Sequence, residues 1–212
     1  MDFLPQHISK YSENHTQAES ELLRNLNRET HANILKPRML SGHFQGRFLA
    51  MWSKIMKPKL ILEIGTYTGY SALCLAEGLA PNGKLITIEV NEELEKIANK
   101  YFQQSDFAKQ IEQRIGDAEE IIPTIPNEID LVFIDADKKS CEKYYNLVIE
   151  KLRKGGIIIA DNVLWSGKVA EEGKIDKDTQ TLIEFNAMVN NDNRVENLLL
   201  PIRDGLMIAR KL

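Results

Sequence analysis

Cysteine is almost missing from this chain of 212 residues. There are two, Cys74 and Cys141, far apart and outside any C-x-x-C pattern. That argues against a disulfide scaffold or a thiolate metal cluster and fits a reducing compartment. No basic-then-apolar leader opens the chain and no apolar run approaches the ~18 residues a spanning helix needs, so a cytoplasmic protein without a membrane partner is expected. Internal repeats, low-complexity tracts and Gly/Ser linkers are also lacking, which leaves no sign of a solenoid or a tethered second module. A strong excess of one charge is absent too. The net charge of −4 predicts no general attraction to nucleic acid, although a local basic patch stays open. What remains is ordinary: 43% hydrophobic and 27% charged residues, in a length that suits one α/β domain.

Helical signals fill roughly residues 5–57. Thr16-Gln17-Ala18-Glu19 has the form of a capping box ahead of Leu22, Leu23 and Leu26, which share a helical face. Phe44, Phe48, Met51, Trp52 and Ile55 form a second apolar stripe, expected to pack against a sheet. From residue 59 strand and helix alternate. Lys59–Ile64, Leu85–Val90, Ile129–Asp135 and Gly156–Asp161 read as strands, with a weaker one near Gln113–Ile115. An amphipathic helix over Glu92–Gln104 buries Leu94, Ile97, Ala98, Tyr101 and Phe102. Nearly unbroken apolar strands between such helices imply a parallel sheet covered on both faces. Arg194–Pro201 and Leu206–Lys211 flank Asp204-Gly205, a tight-turn signal that predicts an antiparallel hairpin. The expectation is an α/β, doubly wound, seven-stranded Rossmann-like sheet: a helical cap over 1–57, a core over 58–212 and a hairpin edge, all one domain.

In such a sheet, ligands bind beyond the carboxyl ends of the strands, where strand order reverses. Those ends offer Glu63, Glu89, Asp117, Asp135 and the pair Asp161-Asn162. Singly, each could be a helix cap; together they call for a ligand. LEIGTYTGYS (62–71) looks like a nucleotide turn with its middle glycine missing. Gly65 allows the tight turn and Gly69 a close backbone approach, but Tyr67 puts a ring where a pyrophosphate needs bare backbone. A nucleoside without phosphates fits better. Glu89 can accept from both ribose hydroxyls, and Asp117 from an exocyclic amine such as adenine N6. The natural candidate is S-adenosylmethionine, not a dinucleotide.

FIDADK (133–138) and IIIADNVLW (157–165) make a second constellation. On neighbouring strands, Asp135, Asp161 and Asn162 would converge on one point. Two carboxylates and an amide oxygen suit a hard cation: Mg²⁺, Ca²⁺ or Mn²⁺. The structural alternative is that Asp161 and Asn162 only shape a turn.

LEIGTYTGYSAL, the acidic end of LITIEV, GDA, FIDADK and ADNVLW occur in the order found in cation-dependent, S-adenosylmethionine-dependent class I methyltransferases, and the chain resembles their caffeoyl-CoA / catechol O-methyltransferase group. The likeness runs nearly end to end. RMLSGHFQGRFL (38–49) resembles the cofactor-covering segment and RDGLMIARK (203–211) the final strand. It implies that Met39 and Ser41 lie over the cofactor, that Glu63, Gly65 and Ser71 hold its methionyl end, and that Thr66, Tyr67, Gly69 and Val90 complete the loop contacts. Glu89 would take the ribose, and Asp117 with Ala118 the adenine. Asp135, Asp161 and Asn162 would be metal ligands, with Asp135 also facing the cofactor. Lys138 matches a general base, and Asp137, Lys138 and Trp165 would meet the acceptor, Trp165 as a wall beside its ring. Lys139 is expected at the surface. His43 departs from the plant Asp-Glu-Gly pattern and is expected to be a hydrogen-bonded structural histidine. The polar loop Ser166–Lys177 is expected at the acceptor entrance.

The resemblance implies methyl transfer to one hydroxyl of a catechol-like vicinal diol on a small aromatic acceptor, with a homodimer as the usual assembly. A bacterial branch that methylates hydroxyuridine in tRNA supplies the alternative acceptor.

Overall fold

The computed structural model describes residues 5–173 and 175–212. Its helices are α1 (Gln6–Asn14), α2 (Glu21–Asn33), α3 (Gly42–Met56), α4 (Tyr70–Ala76), α5 (Glu95–Gln103), α6 (Ala118–Ile121), α7 (Cys141–Lys151) and α8 (Lys177–Asn190). Its strands are β1 (Leu60–Ile64), β2 (Lys84–Glu89), β3 (Ile111–Ile115), β4 (Ile129–Ile134), β5 (Leu152–Asp161), β6 (Val195–Leu200) and β7 (Leu206–Lys211). They form one sheet in the order β3-β2-β1-β4-β5-β7-β6. The first five strands are parallel; β7 runs antiparallel to both β5 and β6. The doubly wound sheet with its hairpin edge is therefore present as expected.

Alternation along β1 explains the layers. Leu62 and Ile64 enter a core with Tyr145, Val148 and Ile149 of α7 and Phe185 of α8. Ile61 enters the opposite core with Leu26 of α2, Leu49 of α3, Leu75 of α4 and Phe102 of α5. A strand buried on both faces has no polar side to spare, hence its near-continuous apolar sequence. The register pairs Ile64 with Ile88 and Ile134, and Ile134 with Ala160. The residues after these positions, Gly65, Glu89, Asp135 and Asp161, thus end up level at one sheet edge.

One N-terminal expectation fails and another holds only in part. Helix α2 starts after Ser20, whose side chain accepts from the Leu23 N–H; Thr16 instead donates to the Ser12 carbonyl at the end of α1. Glu19, expected to complete the box, accepts from the Tyr70 hydroxyl. The apolar stripe of α3 packs only in part, with Phe48 and Trp52 half-buried against the core. Gln45, Gly46, Leu49, Ala50 and Ser53 are buried, while Met51 is 63% and Ile55 69% exposed. The cause is α4, which is buried along its entire length. Close approach of two helices there admits small side chains and pushes the large ones outward.

Candidate active site

The Gly65 turn joins the end of β1 to the end of β4. Its φ is +100°, and a Cβ there would stand 2.0 Å from the Asp135 carbonyl oxygen, so only glycine lets the two strand ends meet. Gly69 has a different reason from the one expected. A Cβ at that position would strike the Phe102 ring at 2.6 Å, so its bareness serves α4–α5 packing, and it lines neither cavity described below.

Tyr67 has φ +49°, the left-handed backbone usually left to glycine. Its N–H donates to Glu89 Oε2 at 2.7 Å, and the Asn91 N–H donates to Glu89 Oε1 at 2.9 Å. The amide that would face a pyrophosphate in a dinucleotide loop is thus occupied by a carboxylate, whose charge would repel phosphate. The Tyr67 hydroxyl donates to the carbonyls of Leu35 and Lys36 and ties the segment after α2 over the loop. Beneath it lies a cavity of about 950 Å³, lined among others by Gly65, Tyr67, Glu89, Asp117, Asp135 and Lys138.

A second cavity, about 600 Å³, lies under α1 and is lined by Ser41, His43, Asn162 and Arg203 among others. The two cavities meet where Lys138 Nζ donates to Asn162 Oδ1 at 3.0 Å, since Lys138 lines the first and Asn162 the second. Lys138 also stands 4.9 Å from the Trp165 ring centroid, a cation–π distance. It is half-buried, whereas Lys139 is exposed.

Asp135 and Asp161 follow paired positions on β4 and β5. Burial first, then repulsion from Asp161, raises the Asp135 carboxyl well above the ordinary range, against the opposing charges of Lys138 and Arg203. Asp161 is raised by burial, opposed by hydrogen bonds from Gln45 and the Asn162 amide. Gln45 Nε2 donates to Asp161 Oδ2 at 2.5 Å. Like charges brought together in a dry place favour a cation between them.

The loop carrying Asn162 and Trp165 is strained and clamped. Asn162, Trp165 and Ser166 have φ of 62°, 48° and 58°. The β6–β7 turn holds it: Ser166 N–H donates to Asp204 Oδ1, Leu164 N–H to the Asp204 carbonyl and Val163 N–H to the Gly205 carbonyl.

Other expected residues are placed as follows. Met39 and Val90 are exposed, at 57% and 76%, on the rim of the larger cavity, which Ala118 also lines. Ser41 does not share that cavity with Met39; it lines the smaller one. Glu63 is 0% exposed; Thr87 Oγ1 donates to its Oε2 at 2.5 Å, Ser71 also bonds it, and Oε1 has no partner. Thr66 shares a hydroxyl hydrogen bond with Thr87. Asp117 caps α6, accepting from Glu119 N–H, yet still lines the larger cavity. Asp137 lines it too while accepting from Ser140 N–H and the Tyr144 hydroxyl. His43 Nε2 lies 2.7 Å from the Gln17 carbonyl, which fits the structural role expected of it. Both cysteines are buried in helices as free thiols.

Of the loop Ser166–Lys177, Lys174 lies outside the described residues, and none of the others lines either cavity. The smaller cavity is walled by α1 and by Pro201–Asp204 instead. Arg38, Gln45, Arg203 and Asp204 are the residues sequence reading missed. Only Asp204 carried a signal, as half of a turn dipeptide.

A doubly wound sheet, a glycine turn that excludes pyrophosphate and two cavities meeting at a lysine together define the class: a Rossmann-like methyltransferase. Comparison with known proteins is consistent with this. Residues 12–212 match the family described as O-methyltransferase, and the chain belongs to that family. A catechol O-methyltransferase of Niastella koreensis is 34% identical over 174 residues, covering 78% of this chain and 79% of the relative. A caffeoyl-CoA O-methyltransferase of Mesembryanthemum crystallinum is 32% identical over 186 residues, covering 82% and 73%. The crystal structure of an O-methyltransferase from Bacillus cereus in complex with SAH superposes with a TM-score of 0.89, at 27% identity and 97% coverage of both chains.

Proposed function

We propose that this chain is one catalytic unit, a core over 58–212 under a cap over 1–57. It transfers a methyl group from S-adenosylmethionine to one hydroxyl of a catechol-like diol, assisted by a divalent cation. The observation that carries this is the junction of the two cavities at Lys138 and Asn162, above Asp135 and Asp161.

The chain's residues fit both groups. The cofactor supplies an electrophilic methyl on sulfur. Glu89 faces the larger cavity with a fixed carboxylate that can accept from ribose hydroxyls, and Asp117, lining the same cavity, would accept from an adenine amine. Glu63 lines neither cavity, but its Oε1 is buried and unpartnered just behind Gly65, and an ammonium at the methionyl end would supply the missing donor. For the cation, Asp135, Asp161 and Asn162 offer only oxygen, the donor set of Mg²⁺. A cation bound there lowers the pKa of a coordinated hydroxyl. Asn162 Oδ1 and the Trp165 ring hold Lys138 Nζ at the junction, the position from which it would act as general base on the acceptor hydroxyl. Trp165 lines neither cavity; its reading as a wall beside the acceptor ring rests on its contact with Lys138. Holding acceptor and methyl donor in register across this junction is the main contribution of the fold.

The test is transfer of labelled methyl to a panel of catechols, acyl-CoA esters and hydroxylated or unmodified tRNA. Catechols are expected to be labelled, EDTA to abolish labelling and Mg²⁺ to restore it. Lys138→Ala is expected to lower kcat by about 10²-fold or more at neutral pH. Full activity after chelation, or in Asp161→Ala, would remove the cation from the reading. Labelling of hydroxylated tRNA alone would move the acceptor to nucleic acid.

A further inference from the structure

The cavity on the acceptor side contains two cations that the reaction just described does not use. Arg203 and Arg38 both line it, together with Asn162. Arg203 is half-buried at the β6–β7 turn. A guanidinium has five N–H donors. Among the described residues one hydrogen bond is made, from Nη1 to the Leu40 carbonyl at 3.1 Å. Neither arginine forms an ion pair with a described residue.

The other charged or titratable residues lining the cavity are Glu13, His31, His43 and Asp204. His31 and His43 each bond a backbone carbonyl. The Asp204 carboxylate accepts from the Ser166 amide, and Glu13 is exposed on α1. Arg203 does feel Asp135 and Asp161. A divalent cation between those carboxylates would cancel their two negative charges, leaving Asp204 and the exposed Glu13 as the acids of this cavity, neither of them ion-paired with Arg203. A half-buried guanidinium in that state binds a planar anion well, because its fork matches a carboxylate in bidentate geometry.

We infer that Arg203, with Arg38 at the rim, binds a carboxylate carried by the acceptor, so that the preferred acceptor is a dihydroxyphenyl acid rather than a neutral catechol. The inference rests on the O-methyltransferase reading and adds the chemical class of the acceptor. The diol lies at Asn162 and the acid reaches toward Arg203, both within one cavity of about 600 Å³.

The experiment is equilibrium binding of 3,4-dihydroxycinnamic acid and of its neutral amide to the full chain saturated with S-adenosylhomocysteine and Mg²⁺. The acid is expected to bind about 10- to 100-fold more tightly, the range of a charge-assisted pair. In Arg203→Gln that ratio is expected to collapse towards one, and in Arg38→Gln, at an exposed position, to fall by a smaller factor. Arg203→Lys keeps the charge without the fork and is expected to restore only part of the ratio. Equal affinities in the wild-type chain overturn the inference while the catechol reading stands. A parallel loss of acid and amide binding in Arg203→Gln, with the ratio kept, also overturns it, by making Arg203 a structural strut for Leu40. Binding of neither compound defeats the catechol reading and this inference with it. If only hydroxyuridine RNA binds in an Arg203-dependent way, the anion is a phosphate and the carboxylate assignment falls.

Discussion

Glu63 is a carboxyl group shut off from water, and at the scale of one residue its charge is set against its surroundings. Burial pushes its pKa up to about 7, with the Glu89 charge adding to the rise and hydrogen bonds from Ser71 and Thr87 opposing it. An unfolded glutamate titrates near 4.5. Between those values the native chain holds a proton that the unfolded chain has lost. The contribution of Glu63 to stability is therefore fully present below pH 4.5 and lost as pH rises through about 7. Glu63→Gln keeps the shape and removes the titration. Urea unfolding from pH 4.5 to 8, without cofactor or cation, is expected to give a flatter profile for the variant. The gap should grow with pH to no more than ~3 kcal/mol. Parallel profiles would show that Glu63 stays protonated, or is solvated, throughout. Tyr67 makes a second residue-scale point: a side chain at a left-handed position is tolerated here because Glu89 accepts its amide and Leu35 and Lys36 accept its hydroxyl.

At the scale of elements, the β6–β7 turn is a clamp on the loop after β5. Three of its hydrogen bonds hold Val163, Leu164 and Ser166, and between them sits Trp165 against Lys138. Asp204→Ala removes the acceptor of the Ser166 amide, with an expected cost of about 1–2 kcal/mol in stability. The larger effect is expected in catalysis: kcat down ~10-fold or more as Asn162 and Trp165 lose register. The KM for the cofactor serves as the control, since Asp204 does not line the larger cavity. Equal damage to both substrates would mean general destabilisation. The hairpin was readable beforehand from Asp204-Gly205, and β1, β2, β4 and β5 from apolar runs that two-sided burial requires. The acids at the strand ends were legible for the same reason, since each follows such a run. Thr16 misled because the box pattern was complete there, whereas the true cap, Ser20, has Leu23 at the third position. Gln45 and Arg203 were invisible as site residues. Gln45 meets Asp161 across 116 positions, and only the closed fold brings Arg203 near the aspartates.

For the whole molecule, the outward stripe of α3 is the feature that burial within one chain leaves unexplained. Met51 and Ile55 are mostly exposed, and Phe48 and Trp52, an edge-on pair with centroids 6.1 Å apart, are half-buried beside them. A contiguous apolar face of this kind on a chain of net charge −4 favours self-association. A second copy of the chain, with its own α3 stripe, is the expected occupant, because a two-fold contact needs one self-complementary surface only. Sedimentation at micromolar concentration is expected to give twice the chain mass of 24.2 kDa. The double variant Met51→Glu, Ile55→Glu is expected to sediment as a single chain. Its unfolding midpoint at matched low concentration should stay within about 0.5 kcal/mol, as usual for surface positions. The consequence for activity follows from α3 itself. Its first turns carry His43 at the smaller cavity and Gln45 on Asp161, while the stripe follows further along it. Pairing of two chains through α3 would brace the end of the helix that touches the site. Specific activity is therefore expected to fall on dilution through the dissociation range in the wild-type chain, and to be low and independent of concentration in the variant. A wild-type chain that sediments singly, with activity proportional to concentration throughout, would leave the stripe without a partner of its own kind.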